Sequence, residues 1–481
     1  MLKGSATIEL TDVKTGWKEV HQHDNMVTNA VLDILQMNPD GYLFDANCNL
    51  SSTLLPICPN AIGGIMLFSN ALAEDPTQYY APDDNPVVGY SSNNVNSGTD
   101  PMRGSMNLTE SGALEDGSGY RFVFDFSTSQ ANGTIAALGL TSDYGGVAGY
   151  GSSQNASNPV RKLATKYAKF YTSAKAEWLK IANIVALDQN TNTAYFAHVS
   201  AAKTIQVGKA RLGQLGLFNN TGPNLQSILE THTITTEAFA PDITSTCTYT
   251  AFVDGGDGFI WGFGHANNTA GNSSGVASIL WIKISKEDWS YTEGTWSVDK
   301  RFHAFGKSYV GTGNTTTQQI NTYCIIHKGY LYCVDYWKSS FIKLNLSNPT
   351  DLEYIEDPDS SIPIVDMGSG SEFNVVGDVV YFPGGYFLAG AVHGATTTAV
   401  TDTNSSDTGA PVALYRVARP GLRYGPFLLG YNLYYYDSDE MMLYRDVYLM
   451  TPYLATINNL ENPVEKTADK TMKITYILRE E

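Results

Sequence analysis

The sequence predicts a mainly β protein: a β-sandwich-like domain with one short helix, carrying an inserted β-propeller of about five blades. Three observations lead there. Composition favours strands and tight turns over long helices, with 44 Gly, 30 Tyr and only 16% charged residues in a chain of 481. Strands of matching alternation open and close the chain. Between them, one strand-turn-strand unit recurs five times.

The opening strand, Ser5 to Val13, puts Ala6, Ile8 and Leu10 on one face. After a turn at Lys14 to Gly16, "MVTNAVLDILQM" sets Val27, Ala30, Val31, Ile34 and Leu35 at helical spacing. Asn25 or Thr28 starts this helix and Pro39 halts it. Ile65 to Phe68 form a short apolar run behind a glycine pair. Tyr120 to Phe126 and Thr134 to Leu140 follow as two strands joined by a polar loop ending in Asn132-Gly133, and a Gly/Ser/Asn-rich stretch from Ser142 to Pro159 reads as a boundary. Beyond it, "RKLATKYAKFYTSAKAEWLK" gathers cations over Leu163, Tyr167, Phe170, Tyr171, Ala174 and Trp178 at helical spacing, which predicts a solvated helical connector.

The repeated units are "NIVALDQNTNTAYFAHV", "TAFVDGGDGFIWGFG", "YCIIHKGYLYCVDYWKSSFIKLNL", "FNVVGDVVYFPGGYFLAG" and "GPFLLGYNLYYYDSDEMMLYRDV". Their turns recur at roughly 50–70 residues, the cadence of propeller blades with loop insertions. A unit of three or four short strands cannot cover both of its faces alone, and radial stacking covers them. A Greek-key sandwich is the competing arrangement. Three long inserts, His265 to Ser278, Gly311 to Thr322 and Val392 to Pro411, are polar and nearly uncharged. Such loops on a rigid scaffold suit recognition. After a turn at Leu460 to Pro463, the last strand alternates Met472, Ile474, Tyr476 and Leu478, and is expected to pair with Ser5 to Val13. The predicted domains are therefore 1–158, completed by 449–481, and 159–448.

A net charge of −18 repels phosphate backbones, so nucleic acid is not an expected partner. The start, "MLKGSATIEL", lacks an apolar segment behind a basic leader, and no run approaches eighteen apolar residues; neither a cleaved signal nor membrane insertion is expected. Five scattered cysteines lack metal spacing and suit a reducing compartment. A Lys328-Gly329 turn sets Cys324 opposite Cys333 and Ile326 opposite Leu331, at non-hydrogen-bonded positions where α-carbons approach to about 4.5 Å. Two readings stay open there: a cross-strand disulfide, or two small apolar side chains on the buried face.

Candidate chemistry is sparse. His21 and His23 share a strand face near Asp24, and "DGGDG" (Asp254 to Gly258) and "DSDE" (Asp437 to Glu440) crowd carboxylates into turns, but none matches a metal-loop pattern. No metal, cofactor or catalytic residue is assigned. Separated acids such as Asp335, Asp366 and Asp437 are what a glycan depolymerase would need to converge. Tyr336, Trp337, Tyr386, Tyr435 and Tyr436 sit near turns, where an apolar ring face with a polar rim suits stacking on sugars. They are the candidate ligand-binding residues, and core packing is the competing use of each.

Taken together, "ATIELTDVKTG…HDNMVTNAVLDIL", "DFSTSQANGTIAALGLTS" and "YLATINNLENPVEKTADKTMKITYIL" resemble structural proteins of the tail and host-attachment regions of tailed bacteriophages and prophages. The resemblance covers residues 1 to 140 and 449 to 481 and carries no catalytic residues. It implies a virion protein assembled in the host cytoplasm, docked on other tail or baseplate proteins. It also implies a homo-oligomer and a propeller displayed towards a host-surface glycan. A purely architectural collar or baseplate part and a depolymerase are the alternatives.

Overall fold

A computed structural model describes residues 2–36, 62–82, 85–142, 160–171, 180, 183–211, 228–241, 247–248, 250–264, 277–298, 308–309, 324–334, 340–356, 374–376, 379–382, 385–388, 390–394, 411–412, 422–435, 440–450 and 453–480. The chain is mainly antiparallel β-structure with very little helix. Among the described residues no helix is long and apolar enough to cross a membrane.

The chain opens with β1 (Leu2–Asp12) and β2 (Lys18–Asp24). At their turn the Asp12 carboxylate accepts from the backbone of Lys14 and Thr15, and Gly16 supplies a φ of 72°. β3 (Met26–Val27) leads into α1 (Asn29–Gln36), which buries Ala30 and Val31. Then come β4 (Gly64–Phe68), β5 (Val87–Ser91), β6 (Ser105–Met106), β7 (Gly112–Ala113), β8 (Gly119–Phe126) and β9 (Gly133–Thr141).

β10 (Val160–Tyr171) precedes a series of antiparallel sheets. The first is β11 (Ile184–Asp188), β12 (Thr193–Ala201), β13 (Thr204–Arg211) and β14 (Ile228–Thr235). A short strand, β15 (Cys247–Thr248), precedes the second sheet of β16 (Thr250–Asp254), β17 (Phe259–Gly264), β18 (Ala277–Ser285) and β19 (Tyr291–Val298), and pairs with β20 (Ser308–Tyr309). The third is β21 (Cys324–His327), β22 (Tyr330–Val334), β23 (Ser340–Asn345) and β24 (Leu352–Glu356). The fourth is β25 (Asn374–Val376), β26 (Val379–Phe382), β27 (Gly385–Leu388) and β28 (Ala391–Gly394). The fifth adds β29 (Pro411–Val412), β30 (Leu422–Tyr424), β31 (Phe427–Tyr435) and β32 (Glu440–Met450), and draws in β10, in the order β29-β10-β32-β31-β30.

Each sheet shares a buried cluster with the next. Ala197 and Val207 of the first meet Phe252 and Ile282 of the second. Trp261 and Phe263 meet Leu331 and Ile342 of the third. Phe341 meets Phe382 and Phe387 of the fourth, and Tyr381 and Tyr386 meet Leu428 and Tyr448 of the fifth. Leu422, Phe427 and Leu449 of the fifth then share a cluster with Ile184, Ala194 and Ala210 of the first.

The last two strands, β33 (Thr456–Lys466) and β34 (Lys470–Glu480), return to the opening segment. β34 lies between β1 and β8 in the sheet β2-β1-β34-β8-β6, where β7 also pairs with β8, and β33 enters the sheet β3-β33-β9-β4-β5. β1 and β34 pair over eleven residues, from Leu2 opposite Glu480 to Asp12 opposite Lys470. Ala6, Ile8 and Leu10 are buried with Met472, Ile474, Tyr476 and Leu478, against Ile65, Leu67, Ile135 and Leu138 of the other sheet. The alternation read from both ends is thus the physical cause of the pairing.

Two local expectations are corrected. Residues 160–171 form a strand paired with β32, not a helix; a bulge between Lys162 and Ala164 breaks the two-residue period that would have revealed it. Leu460 to Pro463 is no turn but an irregularity inside β33, whose pairing moves from Asn459–Ala137 to Val464–Ile135. β8 and β9, the two strands expected around Asn132-Gly133, each lie in a different sheet.

Candidate ligand-binding cleft

β11, β16 and β21, the first strands of the first three middle sheets, are short and mostly apolar, and the turns that follow them carry polar groups. Lys328 and Gly329 take φ of 49° and 78°, the doubly positive turn that matches strand twist. This fixes Cys324 opposite Cys333 and Ile326 opposite Leu331, as the spacing predicts. The two cysteines are fully buried and not joined to each other, so of the two readings the small apolar one is realised. Burial pushes the Cys324 thiol well above the usual thiol range.

Two cavities, of about 740 and 630 Å³, open where these strands and turns converge. They share Leu187 of β11, Ile325, Ile326 and His327 of β21, and Arg423 of β30, and so lie side by side in one cleft region. The larger adds the turn from Asp254 to Asp257, together with Trp261 and Lys283. The smaller is walled by Thr77 to Pro82 from the loop between β4 and β5. These volumes fall in the range of small-molecule sites.

The acids of the larger cavity already hold partners. Asp254 Oδ1 accepts from Lys286 Nζ at 2.7 Å, and Asp257 Oδ2 lies 2.9 Å from Lys283 Nζ. Lys283 Nζ also lies over the Phe259 ring at 4.1 Å and the Trp261 ring at 5.0 Å. Trp261 packs against Phe263, Trp281 and Trp296, and no acceptor reaches its buried Nε1–H. Arg423 donates to the Val375 carbonyl and lies over the Tyr80 ring at 5.4 Å, with no carboxylate partner among the described residues.

Beside the smaller cavity, a polar knot ties α1 to the middle sheets. Tyr79 Oη and Gln189 Nε2 donate to Asp33 Oδ2 at 3.1 and 3.3 Å, and the Gly425 N–H donates to Gln189 Oε1 at 2.9 Å. Tyr80 Oη donates to the Gly425 carbonyl. Burial pushes the Asp33 carboxyl up to about 6, against the opposing effect of those two donors. Burial and the neighbouring Asp33 push Tyr79 up to about 12.

Of the predicted ligand-binding residues, Tyr336, Trp337 and Tyr436 lie outside the described residues. Tyr435 ends β31, opposite Met441. Tyr386 is 1% exposed, enclosed between Tyr381 and a stacked His393 ring at 4.9 Å; its ring packs a core and is not displayed. Asp335, Asp366 and Asp437 also lie outside the described residues. His21 pairs with Glu19 at 2.9 Å on the half-buried face of β2, whereas Asp24 is exposed on the other. Among the described residues no three metal-ligating side chains gather. Sequence reasoning passed over Arg423 and Trp261, which lie 162 positions apart in the chain and carry no motif. Neither known protein-family models nor curated proteins give a match to this chain.

Proposed function

We propose that the chain is a virion structural protein from the tail, baseplate or fibre region of a tailed bacteriophage or prophage. In this reading the two terminal sheets are a β-sandwich attachment domain, and the five middle sheets are a propeller displayed for binding a host-surface glycan. The path of the chain carries the reading: its two ends zip together over eleven residue pairs, while five sheets lie between them. Radial closure is supported by the sequence of shared clusters, in which the fifth sheet meets the first. It is supported also by the entry of β10 into the fifth sheet beside β32, since a closed ring gains from joining an early strand to late ones.

The cleft supports a binding role, because its acids are held by lysines while the Trp261 indole N–H lacks an acceptor and Arg423 has no carboxylate partner among the described residues. Purified, fluorescently labelled protein should adsorb saturably to host cells and leave their surface polysaccharide at its original chain length. Absence of any adsorption would leave only an architectural part, and shortening of the polymer would make it a depolymerase. Averaged electron-microscope projections down the propeller axis should show five lobes, and any other number sinks the architecture.

A further inference from the structure

We propose that the cleft between β11, β16, β21 and β30 binds an acidic sugar, its carboxylate taken by Arg423 and a second oxygen by the Trp261 indole N–H. This deepens the host-glycan reading and rests on it for the sugar; the acidic character comes from the cleft itself. Arg423 lines both cavities and has a carbonyl and a ring as partners, but no acid among the described residues. Trp261 lines the larger cavity, is 6% exposed, and holds a buried donor without an acceptor. Buried donors normally find partners, so an unpartnered one on a side chain of the cavity wall marks a place where a small shift of the ring would meet an incoming oxygen.

Arg423 and the Trp261 indole N–H are both donors, and the two carboxylates that would otherwise attract cations are neutralised by Lys283 and Lys286. A ligand rich in acceptors and bearing one negative charge meets these needs. A guanidinium recognises a carboxylate through paired N–H bonds, and the apolar wall of Leu187, Ile325 and Ile326 suits the less polar face of a sugar ring. The chain as a whole carries −18, which gives an anion little reason to bind away from such a donor pair.

The test is isothermal titration of the full-length protein with sodium glucuronate, glucose and inorganic phosphate, repeated on Arg423→Gln and Trp261→Phe, each first checked for native circular dichroism. Glucuronate should bind, with glucose and phosphate at least about tenfold weaker, and Arg423→Gln should lose at least about tenfold in glucuronate affinity. Trp261→Phe should weaken both sugars together, because its donor does not read the charge. Equal affinity for glucuronate and glucose, equal affinity for phosphate, or an Arg423→Gln variant that binds glucuronate as the parent does would each overturn the proposal. So would a parent protein that does not bind glucuronate. If cells adsorb the parent and Arg423→Gln equally, host binding stands and this site falls; if cells adsorb neither while glucuronate binds, the reverse holds.

Discussion

Replacing Asp33 by Asn should flatten the dependence of stability on pH between about 4 and 6. In the folded chain the carboxyl titrates near 6, against 3.8 for the unperturbed group, because its burial outweighs the opposing hydrogen bonds from Tyr79 and Gln189. Since the folded-state value is raised, the unfolded chain releases this proton first as pH climbs. Asp33 therefore contributes most at and below pH 4, loses that contribution through pH 6, and imposes a constant cost above it. A shift of roughly two units at about 1.4 kcal/mol each sets a ceiling of about 3 kcal/mol. The carboxyl keeps some contact with solvent, which brings the expected swing to about 1–2 kcal/mol. Carboxylates such as Glu19 and Glu110, held low by His21 and Lys473, slope the other way. The informative quantity is thus the difference between parent and variant, measured by urea unfolding at pH 4, 5, 6 and 7. Parallel curves for the two proteins across that range would refute the argument.

Other expectations follow from single contacts. Gly425→Ala should destabilise by about 1–3 kcal/mol in the same unfolding assay, because φ is +56° and the new Cβ would lie 2.5 Å from Asp33 Oδ2; an unchanged midpoint would mean that the turn relaxes freely. The Glu293 carboxylate accepts from the backbone N–H groups of Glu237, Ala238 and Phe239 at 2.9, 3.1 and 2.6 Å, so Glu293→Ala should cost about 1–3 kcal/mol and speed hydrogen exchange at those three amides. Cys324 and Cys333 should resist iodoacetamide in the native protein and react only after unfolding, as read by mass spectrometry of the peptides that carry them; rapid native labelling of either would contradict its burial.

The terminal pairing was legible because its signal is local: Ile8 and Ile474 each belong to an unbroken alternation, and burying the apolar face of both strands together leaves one register. The hairpin at Lys328-Gly329 was legible for the same reason, since turn length alone sets who faces whom. β10 was not, because a bulge near its start shifts the alternation and leaves Leu163, Tyr167 and Phe170 in a helix-like rhythm. Tyr386 shows the limit for sites. A tyrosine beside a tight turn reads alike whether displayed or enclosed, and its fate depends on Tyr381 and His393 closing over it. The knot that joins Asp33, Gln189 and Gly425 depends on contacts across 156 and 236 positions, which no local pattern encodes.

That β1 finds its neighbour β34 at the far end of the chain has a consequence for biosynthesis. A ribosome adding about 5–20 residues per second spends roughly half a minute to a minute and a half between emitting the one and the other. Throughout that interval the edge of β1 that β34 will cover is open to any passing extended peptide. β34 must be made before the terminal sheet can close, so a product cut short ahead of it would carry a sticky, unfinished sheet edge.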